Sequence, residues 1–339
     1  MHNSVGFDQL VTDLTSSSNA KGRFTSLLSI LKNCDATMKF GVCIPNYGET
    51  LSVEGMRAVA VEAEKLGYES IWTTDHILMP PKSGTPYEKI LESITSLAYL
   101  AAHTSRVKLG VSSLIMAMRN PVVAVKQLAT IDQLSGGRIM LATSAGWVEK
   151  EFVHLGSDFH TRGKRLDESI TLIRKLWSES TNIEFEGRNI PHRISNGVFE
   201  PKPIQKHLTI WIAGSSEAAM RRAIAVGDAW HPNVTPLDSF RKLVEQFRSL
   251  PGGKDKPVCV RITLNTKVKD PIFVGPQGDR RLILSGNMSE NRNTVAELEK
   301  LGVSYMLVTP SPYGTTNTGD QVESLRAISK SFILRSEQE

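Results

Sequence analysis

Residues 53–76 read VEGMRAVAVEAEKLGYESIWTTDH and join a helical pattern to a strand pattern. In the first half of this stretch, apolar residues recur every three or four positions, which is the period of an amphipathic helix. Gly67 supplies a helix stop, and the β-prone residues 69–74 follow it directly. The polar pair Asp75 and His76 comes where that strand ends. The stretch therefore predicts a helix-to-strand unit with a carboxylate and an imidazole at the carboxyl end of its strand.

The same alternation of short apolar runs and amphipathic helical stretches repeats along the chain from Met38 onward. This alternation is typical of βα units and of a parallel sheet. Eight segments have strand character, and they span residues 38–44, 69–74, 107–114, 138–143, 208–213, 228–230, 258–265 and 303–309. Eight parallel strands separated by helices form a TIM-type barrel, so we predict an α/β fold with a (β/α)8 barrel and insertion segments.

Two segments are too long for a minimal βα repeat, residues 77–92 and residues 181–207. Within the second segment, residues 183–188 alternate between apolar and polar side chains, as in a β-hairpin. In a βα barrel the carboxyl ends of the strands converge on one face, and functional residues lie just after the strands. We therefore expect both segments to carry substrate loops.

Residues 1–37 differ from the rest of the chain because they are rich in Ser and Thr and have little hydrophobic periodicity. They lack the Arg-rich, acid-poor character of a transit peptide and the apolar core of a secretory signal. We divide the chain into an N-terminal extension, 1–37, and a barrel domain, 38–335. Met38 stands directly before a strand-like run, so we hypothesise an alternative translation start there, with the extension partly disordered or not native.

The composition argues against a nucleic-acid partner, a metal site and membrane insertion. Lys and Arg number 40 against 35 Asp and Glu, a net charge of +5, and no run of five like charges occurs. The three cysteines show no C-x-x-C spacing and H-E-x-x-H is missing, so we predict no metal site and a reducing, cytoplasmic compartment. No apolar run approaches the roughly 18 residues that span a bilayer.

The pair at the end of the second predicted strand is the first candidate for catalysis. His76 could donate a proton to a bound carbonyl or ring, or accept one from it. Asp75 could fix the tautomer of His76 or contact a cofactor. In the alternative interpretation, Asp75 caps the following segment and His76 is a structural histidine, and the sequence leaves both interpretations open.

The segment Gly214-Ser215-Ser216 lies between the predicted strand 208–213 and a helix that begins at Glu217. Backbone N–H groups and the positive dipole end of a helix N-terminus can bind a phosphate. The alternative is a plain serine cap on the helix. Neither G-x-G-x-x-G after a strand nor G-x-x-x-x-G-K-[ST] occurs, which argues against Rossmann dinucleotide binding and P-loop chemistry.

The third and fourth predicted strands end in small residues, at 110–114 and 142–147. Small side chains let the backbone approach a flat ring closely, but they equally permit a helix to pack tightly on its strand. Each segment taken alone supports either interpretation.

Ordered motifs run along the chain from Met38 toward the C-terminus. They are residues 40–42 (FGV), 45–48 (PNYG), 63–68 (AEKLGY), 74–76 (TDH), 119–121 (RNP), 126–132 (KQLATID), 134–138 (LSGGR), 146–147 (GW), 151–152 (EF), 162–168 (RGKRLDE), 201–205 (PKPIQ), 211–214 (WIAG) and 227–232 (GDAWHP). In this order they resemble the luciferase-like family of flavin- and deazaflavin-dependent oxidoreductases.

This resemblance implies a TIM-type barrel that binds a ring cofactor at the carboxyl ends of its strands. In the family, a bulge in the third strand with a non-proline cis peptide bond often supports the ring, and it maps here to Ser112-Ser113. The resemblance also implies that Asp75 and His76 face the ring and the substrate. The implied cofactor site consists of Asn46 on its floor, Asp75, Ser112 and Ser113, Gly146 and Trp147 as flanks, and Gly214, Ser215 and Ser216 around the phosphate.

Within the family, the Asp-His pair, the LSGGR pattern and the Gly-Trp pair resemble the subgroup that uses coenzyme F420. The resemblance therefore implies hydride transfer between F420 and a small organic substrate, with His76 as the proton partner. A reduced-FMN-dependent monooxygenase and a non-catalytic cofactor-binding barrel stay open as alternatives. Members of the family are often dimers, so a homodimer is expected.

The chain departs from the family pattern at two places. Members usually end the fourth strand in G-x-G-x-G-W, whereas this chain has Ala142, Ser144 and Gly146. We expect the added methyl and hydroxymethyl groups to narrow the floor of the cofactor site. Residues 272–289 match the family poorly, and no role is assigned to them.

Overall fold

The computed structural model describes residues 38–274, 278–310 and 317–334. The predicted N-terminal extension, 1–37, lies outside these residues, so the division into extension and barrel domain stays a prediction. In the described part of the chain, no helix is both long and apolar enough to cross a membrane.

Eight parallel strands close into a barrel. They are β1 (Lys39–Cys43), β2 (Ser70–Thr73), β3 (Lys108–Leu114), β4 (Ile139–Thr143), β7 (Ile210–Ala213), β8 (Ala229–His231), β9 (Val258–Leu264) and β12 (Val303–Pro310). Each pairs with the next in this order, and β12 returns to β1, where Lys39 lies opposite Tyr305. All eight predicted strands are present, and the predicted TIM-type fold is confirmed.

Helices surround the barrel and connect its strands. In the described residues they are α1 (Val53–Lys65), α2 (Ser93–Ala101), α3 (Pro121–Ser135), α4 (Glu149–His154), α5 (Arg162–Ser178), α6 (Glu217–Val226), α7 (Leu237–Ser249), α8 (Met288–Lys300) and α9 (Thr318–Ile328). The ends follow from the sequence, because the Asn120 side chain accepts hydrogen bonds at the start of α3 and Gly136 ends it in the left-handed conformation.

Aromatic side chains fill the inside of the barrel. The rings of Trp72 and Trp211 stack with centroids 4.7 Å apart, and Tyr305 packs edge-on against Trp211 at 5.0 Å. A Cβ atom on Gly110 would lie 2.3 Å from the Trp72 ring. The glycine in the predicted small-residue segment 110–114 therefore makes room for an indole of the core rather than for a cofactor.

The segment 181–207 contains a hairpin, as predicted, made of β5 (Ile183–Glu186) and β6 (Arg193–Gly197). It connects α5 to β7, and the Glu168 carboxylate of α5 accepts hydrogen bonds from the Arg188 and Ile190 N–H groups. The hairpin is thereby held against a helix of the outer ring.

The region that matches the family poorly adds strands outside the barrel. Strand β10 (Ile272–Val274) pairs antiparallel with β11 (Arg280–Leu284), and β11 pairs in parallel with the end of β9. The sheet therefore continues beyond the closed ring at this edge, beside the carboxyl end of β9.

Candidate active site

A cavity of about 510 Å³ opens at the carboxyl ends of the barrel strands, a size within the usual range for ligand pockets. Its walls come from the ends of β2, β3, β4, β7, β8 and β9 and from the segments that follow them. Of the predicted site residues, those that line the cavity are Asp75, His76, Ser112, Ser113, Gly146, Trp147, Gly214 and Ser216, whereas Asn46 and Ser215 do not.

His76 is buried on the cavity wall and paired with a carboxylate. Its Nδ1 lies 2.7 Å from Glu151 Oε2, and the imidazole stacks on the Tyr87 ring with centroids 4.6 Å apart. The carboxylate accepts the Nδ1 proton, so neutral His76 carries its lone pair on Nε2. Nε2 is the ring nitrogen left for a molecule in the cavity.

Glu151 lies in the first turns of α4 and is only 1% exposed. Its second oxygen, Oε1, accepts the Ile77 N–H at 2.6 Å and the Leu78 N–H at 3.3 Å. Burial alone would raise the pKa of Glu151, but these bonds and the His76 imidazole hold it below its usual value. The group is therefore a carboxylate at neutral pH and orients His76.

Asp75 points away from the His76 imidazole. Its carboxylate accepts the Ile115 N–H at 2.9 Å and the Ser93 hydroxyl at 2.7 Å, and the Arg119 guanidinium forms an ion pair with it at 2.5 Å. The suggestion that Asp75 fixes the His76 tautomer is therefore wrong, because Glu151 does so. The suggested cap of the following segment is not formed either, whereas a cofactor contact stays a prediction because Asp75 lines the cavity.

Asn46 is fully buried behind the strand ends instead of lining the cavity. Its amide group accepts the Thr74 N–H at 2.8 Å and donates to the Thr74 carbonyl oxygen at 2.8 Å and the Leu91 carbonyl oxygen at 3.0 Å. The predicted position on the floor of the site is corrected accordingly. Asn46 holds the backbone directly before Asp75 in place.

The peptide bond between Ser112 and Ser113 is cis, and the pairing of β3 with β4 shifts between Val111 and Leu114. The bulge and the cis bond expected from the family resemblance are both present. The Ser113 hydroxyl donates to the Ser144 hydroxyl at 3.0 Å, so the ends of β3 and β4 form one hydroxyl-lined wall of the cavity.

His231 lies beneath this wall and is 3% exposed. Its Nδ1 is 2.6 Å from the Cys259 carbonyl oxygen, which can only accept, so Nδ1 donates and Nε2 accepts the Ser112 hydroxyl proton at 2.9 Å. Burial is the largest cause that lowers the pKa of His231 to about 4; the hydrogen bond to the Cys259 carbonyl opposes this shift, and the charge of Arg261 adds to it by less. His231 is therefore neutral at pH 7 and orients the Ser112 hydroxyl.

The departure from the family pattern at the end of the fourth strand affects only part of the cavity wall. Ala142 is fully buried and packs among Trp72, Trp211 and other core residues inside the barrel, whereas Ser144 lines the cavity. Gly146 has φ +84 and packs against Ile115 and Phe152, so it keeps the conformation that glycine favours. Of the two substituted positions Ser144 alone lines the cavity, so the narrowing, which stays a prediction, would come from its hydroxymethyl group.

One end of the cavity is built around the N-terminus of α6. The Ser216 hydroxyl accepts the Ala219 N–H at 3.3 Å, so the serine cap is present, and the first N–H groups of the helix have no acceptor within it. Arg162 and Arg222 line the same end; Arg222 pairs with Asp167, and within the described part of the chain Arg162 donates only to carbonyl oxygens. The two arginine side chains and the positive end of the helix dipole together suit a phosphate.

Several residues that line the cavity, or that hold its lining side chains, could not be assigned a role from the sequence. They are Tyr87, Arg119, Glu151, Arg162, Arg222, His231 and Arg261. Arg261 alone carried a usable signal, since it is a single charge within the apolar strand VCVRITL. Of the others, His231 ends strand β8, and the rest lie on helices or loops, where a polar or charged residue is ordinary.

The two long segments differ in their relation to the cavity. Tyr87, from segment 77–92, lines it, whereas no residue of 181–207 is among the described lining residues. The expectation that both segments carry substrate loops is therefore supported only for the first. The second follows a helix rather than a strand, and so it begins at the opposite end of the barrel.

Residues 38–264 match the family model described as luciferase-like monooxygenase. The chain belongs to this family. An FMNH2-dependent dimethylsulfone monooxygenase of Pseudomonas putida is 29% identical over 248 residues, which cover 69% of this chain and 66% of that protein. An F420-dependent glucose-6-phosphate dehydrogenase of Amycolatopsis mediterranei is 32% identical over 177 residues, 50% of each chain. The chain thus spans just under two thirds of the first relative and half of the second.

Solved structures of this luciferase-like fold superpose on most of the chain. An F420-dependent secondary alcohol dehydrogenase in complex with an F420-acetone adduct has a TM-score of 0.72 at 15% identity and covers 87% of this chain and 99% of its own. The coenzyme F420-dependent tetrahydromethanopterin reductase of Methanopyrus kandleri has a TM-score of 0.69 at 15% identity, covering 88% and 99%. At 15% identity, the similarity to these structures shows a shared fold and nothing beyond it.

Proposed function

We propose that this luciferase-like protein is an F420-dependent oxidoreductase that transfers hydride to or from a small organic substrate, as a cytoplasmic homodimer. The observation that carries the proposal is the buried His76–Glu151 pair on the cavity wall, at 2.7 Å. When a carbon that bears a hydroxyl group loses hydride, the hydroxyl proton must leave as well. The lone pair on His76 Nε2 can accept that proton, and in the reverse reaction His76 can return it to the substrate oxygen.

The residues around the cavity fit a flat ring with a phosphate-bearing tail. Small hydroxyl and glycine residues, including Ser113, Ser144 and Gly146, form one wall, against which a ring can lie closely. The α6 N-terminus with Arg162 and Arg222 forms the cationic end, where Gly214 and Ser216 would hold the phosphate.

Bound at this site, F420 would supply or accept the hydride. The chain supplies orientation and proton transfer. His231 orients the Ser112 hydroxyl on the wall, Glu151 sets the His76 tautomer, and Trp147 flanks the same opening. The Ser112 and His76 side chains are each held by a second group, so this part of the cavity is preorganised.

A reduced-FMN-dependent monooxygenase is the second candidate. The similarity to the dimethylsulfone monooxygenase supports it, because that match covers 69% of this chain against 50% for the F420-dependent dehydrogenase. The same cationic end and flat wall would suit FMN, which also carries a ring and a phosphate.

Equilibrium titration of the purified protein with F420 and with FMN, each in both oxidation states and followed by fluorescence, tests the proposal. We expect F420 to bind at micromolar concentration or tighter and FMN to bind more weakly. A preference for reduced FMN would favour the monooxygenase, whose turnover depends on oxygen. If neither binds, both oxidoreductase candidates are wrong.

Arg222→Gln tests the position of the phosphate. We expect cofactor affinity to fall about tenfold because a charged donor is lost beside an anion. Arg221→Gln is the matched control, since Arg221 lies on the same helix but pairs with Glu217 outside the cavity. Gly214→Asp is less suitable because Gly214 has φ +126, where any side chain is strained. Equal loss in both arginine variants would show that the phosphate lies elsewhere.

A further inference from the structure

Arg261 is a cation at the base of the cavity that the described residues leave without an anionic partner. It donates through Nη1 to the Ser112 carbonyl oxygen at 2.7 Å and through Nε to the Thr309 hydroxyl at 2.9 Å. Through Nη2 it donates to the Tyr47 and Thr74 hydroxyl groups, each at 3.1 Å. All of these acceptors are neutral.

The four hydrogen bonds also leave one N–H donor of the guanidinium unused. An arginine side chain has five N–H donors, and the four bonds use Nε, both hydrogens on Nη2 and one on Nη1. Asp75 is the only carboxylate among the described lining residues of the main cavity, and Arg119 already pairs with it. Arg261 is partly buried and faces two cavities, so its unpaired guanidinium indicates a site for an anion.

A second, smaller cavity adjoins Arg261 and holds about 20 Å³, room for one or two oxygen atoms. It shares Tyr87, Asn233 and Arg261 with the main cavity, so the two are neighbours across these side chains. Its other polar lining includes Arg281, Thr263 and Thr309. The small cavity is therefore polar and cationic, and of a size for the oxygens of an acid group.

We propose that the substrate is an organic anion whose acid group, a carboxylate or a group of similar shape, binds Arg261 at the junction of the two cavities. The term substrate here rests on the proposed oxidoreductase function. The acid group would accept the remaining Nη1 hydrogen and neutralise the guanidinium, while the rest of the molecule lies in the main cavity near His76. His231 does not compete, because it is neutral and bonded to Ser112 and Cys259.

Calorimetric titration with butyrate and butyramide tests this proposal, because the two probes are alike in shape and differ in charge. It is performed with and without the cofactor that the fluorescence titration identifies. We expect butyrate to bind at least tenfold tighter than butyramide in both states. In Arg261→Gln we expect this preference to fall to near parity.

Two further variants keep the proposal testable if Arg261→Gln does not fold. Arg281→Gln should reduce the preference only a few-fold, because Arg281 also lines the small cavity but already pairs with Asp279. Arg326→Gln is the control, since Arg326 is 59% exposed and pairs with Glu62 outside both cavities, and it should keep the full preference.

Equal affinity of the wild-type protein for the two probes would overturn the proposal, as would an unchanged preference in a folded Arg261→Gln. A preference that disappears when the cofactor is loaded would also overturn it, since the cofactor would then fill the anion site itself. Butyrate preference without binding of either cofactor would leave the anion site standing and remove the proposed oxidoreductase function.

Discussion

His76 is oriented by a carboxylate 75 positions away in sequence, not by its neighbour Asp75. Successive residues at a strand end point in different directions, so Asp75 reaches Ile115 and Arg119 while His76 reaches Glu151. Adjacent polar residues after a strand thus take separate tasks, one fixing the backbone and one facing the cavity.

His76→Ala is expected to lower turnover by about 10² to 10⁴, the usual loss of a general acid or base, with cofactor affinity nearly unchanged. Steady-state kinetics and a cofactor titration on the same preparation provide the two readouts. Unchanged turnover would remove His76 from the mechanism.

Glu151→Gln tests whether turnover depends on the tautomer of His76 or only on the presence of its imidazole. A glutamine amide that donates to His76 Nδ1 would leave the proton on Nε2, so turnover should fall although the imidazole is still there. The pH profile of turnover should change shape in this variant. A purely structural Glu151 would alter stability and leave the profile as it is.

His231 predicts how stability depends on pH. Its pKa in the folded protein is about 4, against 6.5 for an ordinary histidine, so the unfolded chain binds more protons between these values. The corresponding stability is fully present above pH 6.5 and is lost as pH falls toward 4, by roughly 3 kcal/mol. Urea unfolding at pH 7, 5.5 and 4 measures it, and His231→Gln should show a shallower decline over this range.

At the scale of elements, the strands could be predicted because barrel strands are buried on both faces and read as apolar runs. The motifs behind the family resemblance are largely structural. Asp132 is fully buried and accepts from the Gln205 N–H at 3.0 Å, and Arg138 donates to the Val107 carbonyl oxygen at 2.9 Å. These bonds connect the end of α3 and the start of β4 with the segments that lead into β7 and β3. The motif residues therefore stabilise the fold more than they contribute to the chemistry.

Gly110→Ala tests the packing of β3 against the barrel interior. The new Cβ atom would meet the Trp72 ring, so we expect a loss of about 1–3 kcal/mol in the free energy of unfolding. Gly163→Ala is the control: there the nearest atom is the flexible end of Arg222, at 3.3 Å, and stability should be unchanged or slightly higher. Chemical denaturation compares them, and equal stabilities would mean that the core yields to the methyl group.

At the scale of the molecule, closing the sheet into a ring determines the site. The pairs His76–Glu151 and Ser112–His231 and the contacts of Arg261 join residues 48 to 214 positions apart. No local pattern encodes such distances, so the sequence could place Asp75 and His76 after their strand but not the partners that hold them. The long-range pairing could be found only from the fold.

The outer surface carries an apolar groove of about 480 Å³ between α2 and α3, in which Val123 is 53% and Leu134 is 75% exposed. If the expected homodimer uses this groove, Leu134→Glu should weaken dimerisation at least tenfold, because burying a charge there is costly. Sedimentation equilibrium measures the change. Val153→Glu, at a 69% exposed position outside the groove, should leave the dimer intact. A monomeric wild-type protein would contradict the expectation directly.

The aromatic core also determines the protein's optical behaviour. Of the five tryptophans, Trp72, Trp177, Trp211 and Trp230 are at most 3% exposed, whereas Trp147 is 50% exposed beside the cavity. A water-soluble quencher such as acrylamide should therefore act almost entirely on the red-shifted emission of Trp147. Filling the cavity should shield this one indole and leave the blue emission of the buried four untouched, so the chain carries its own reporter of occupancy.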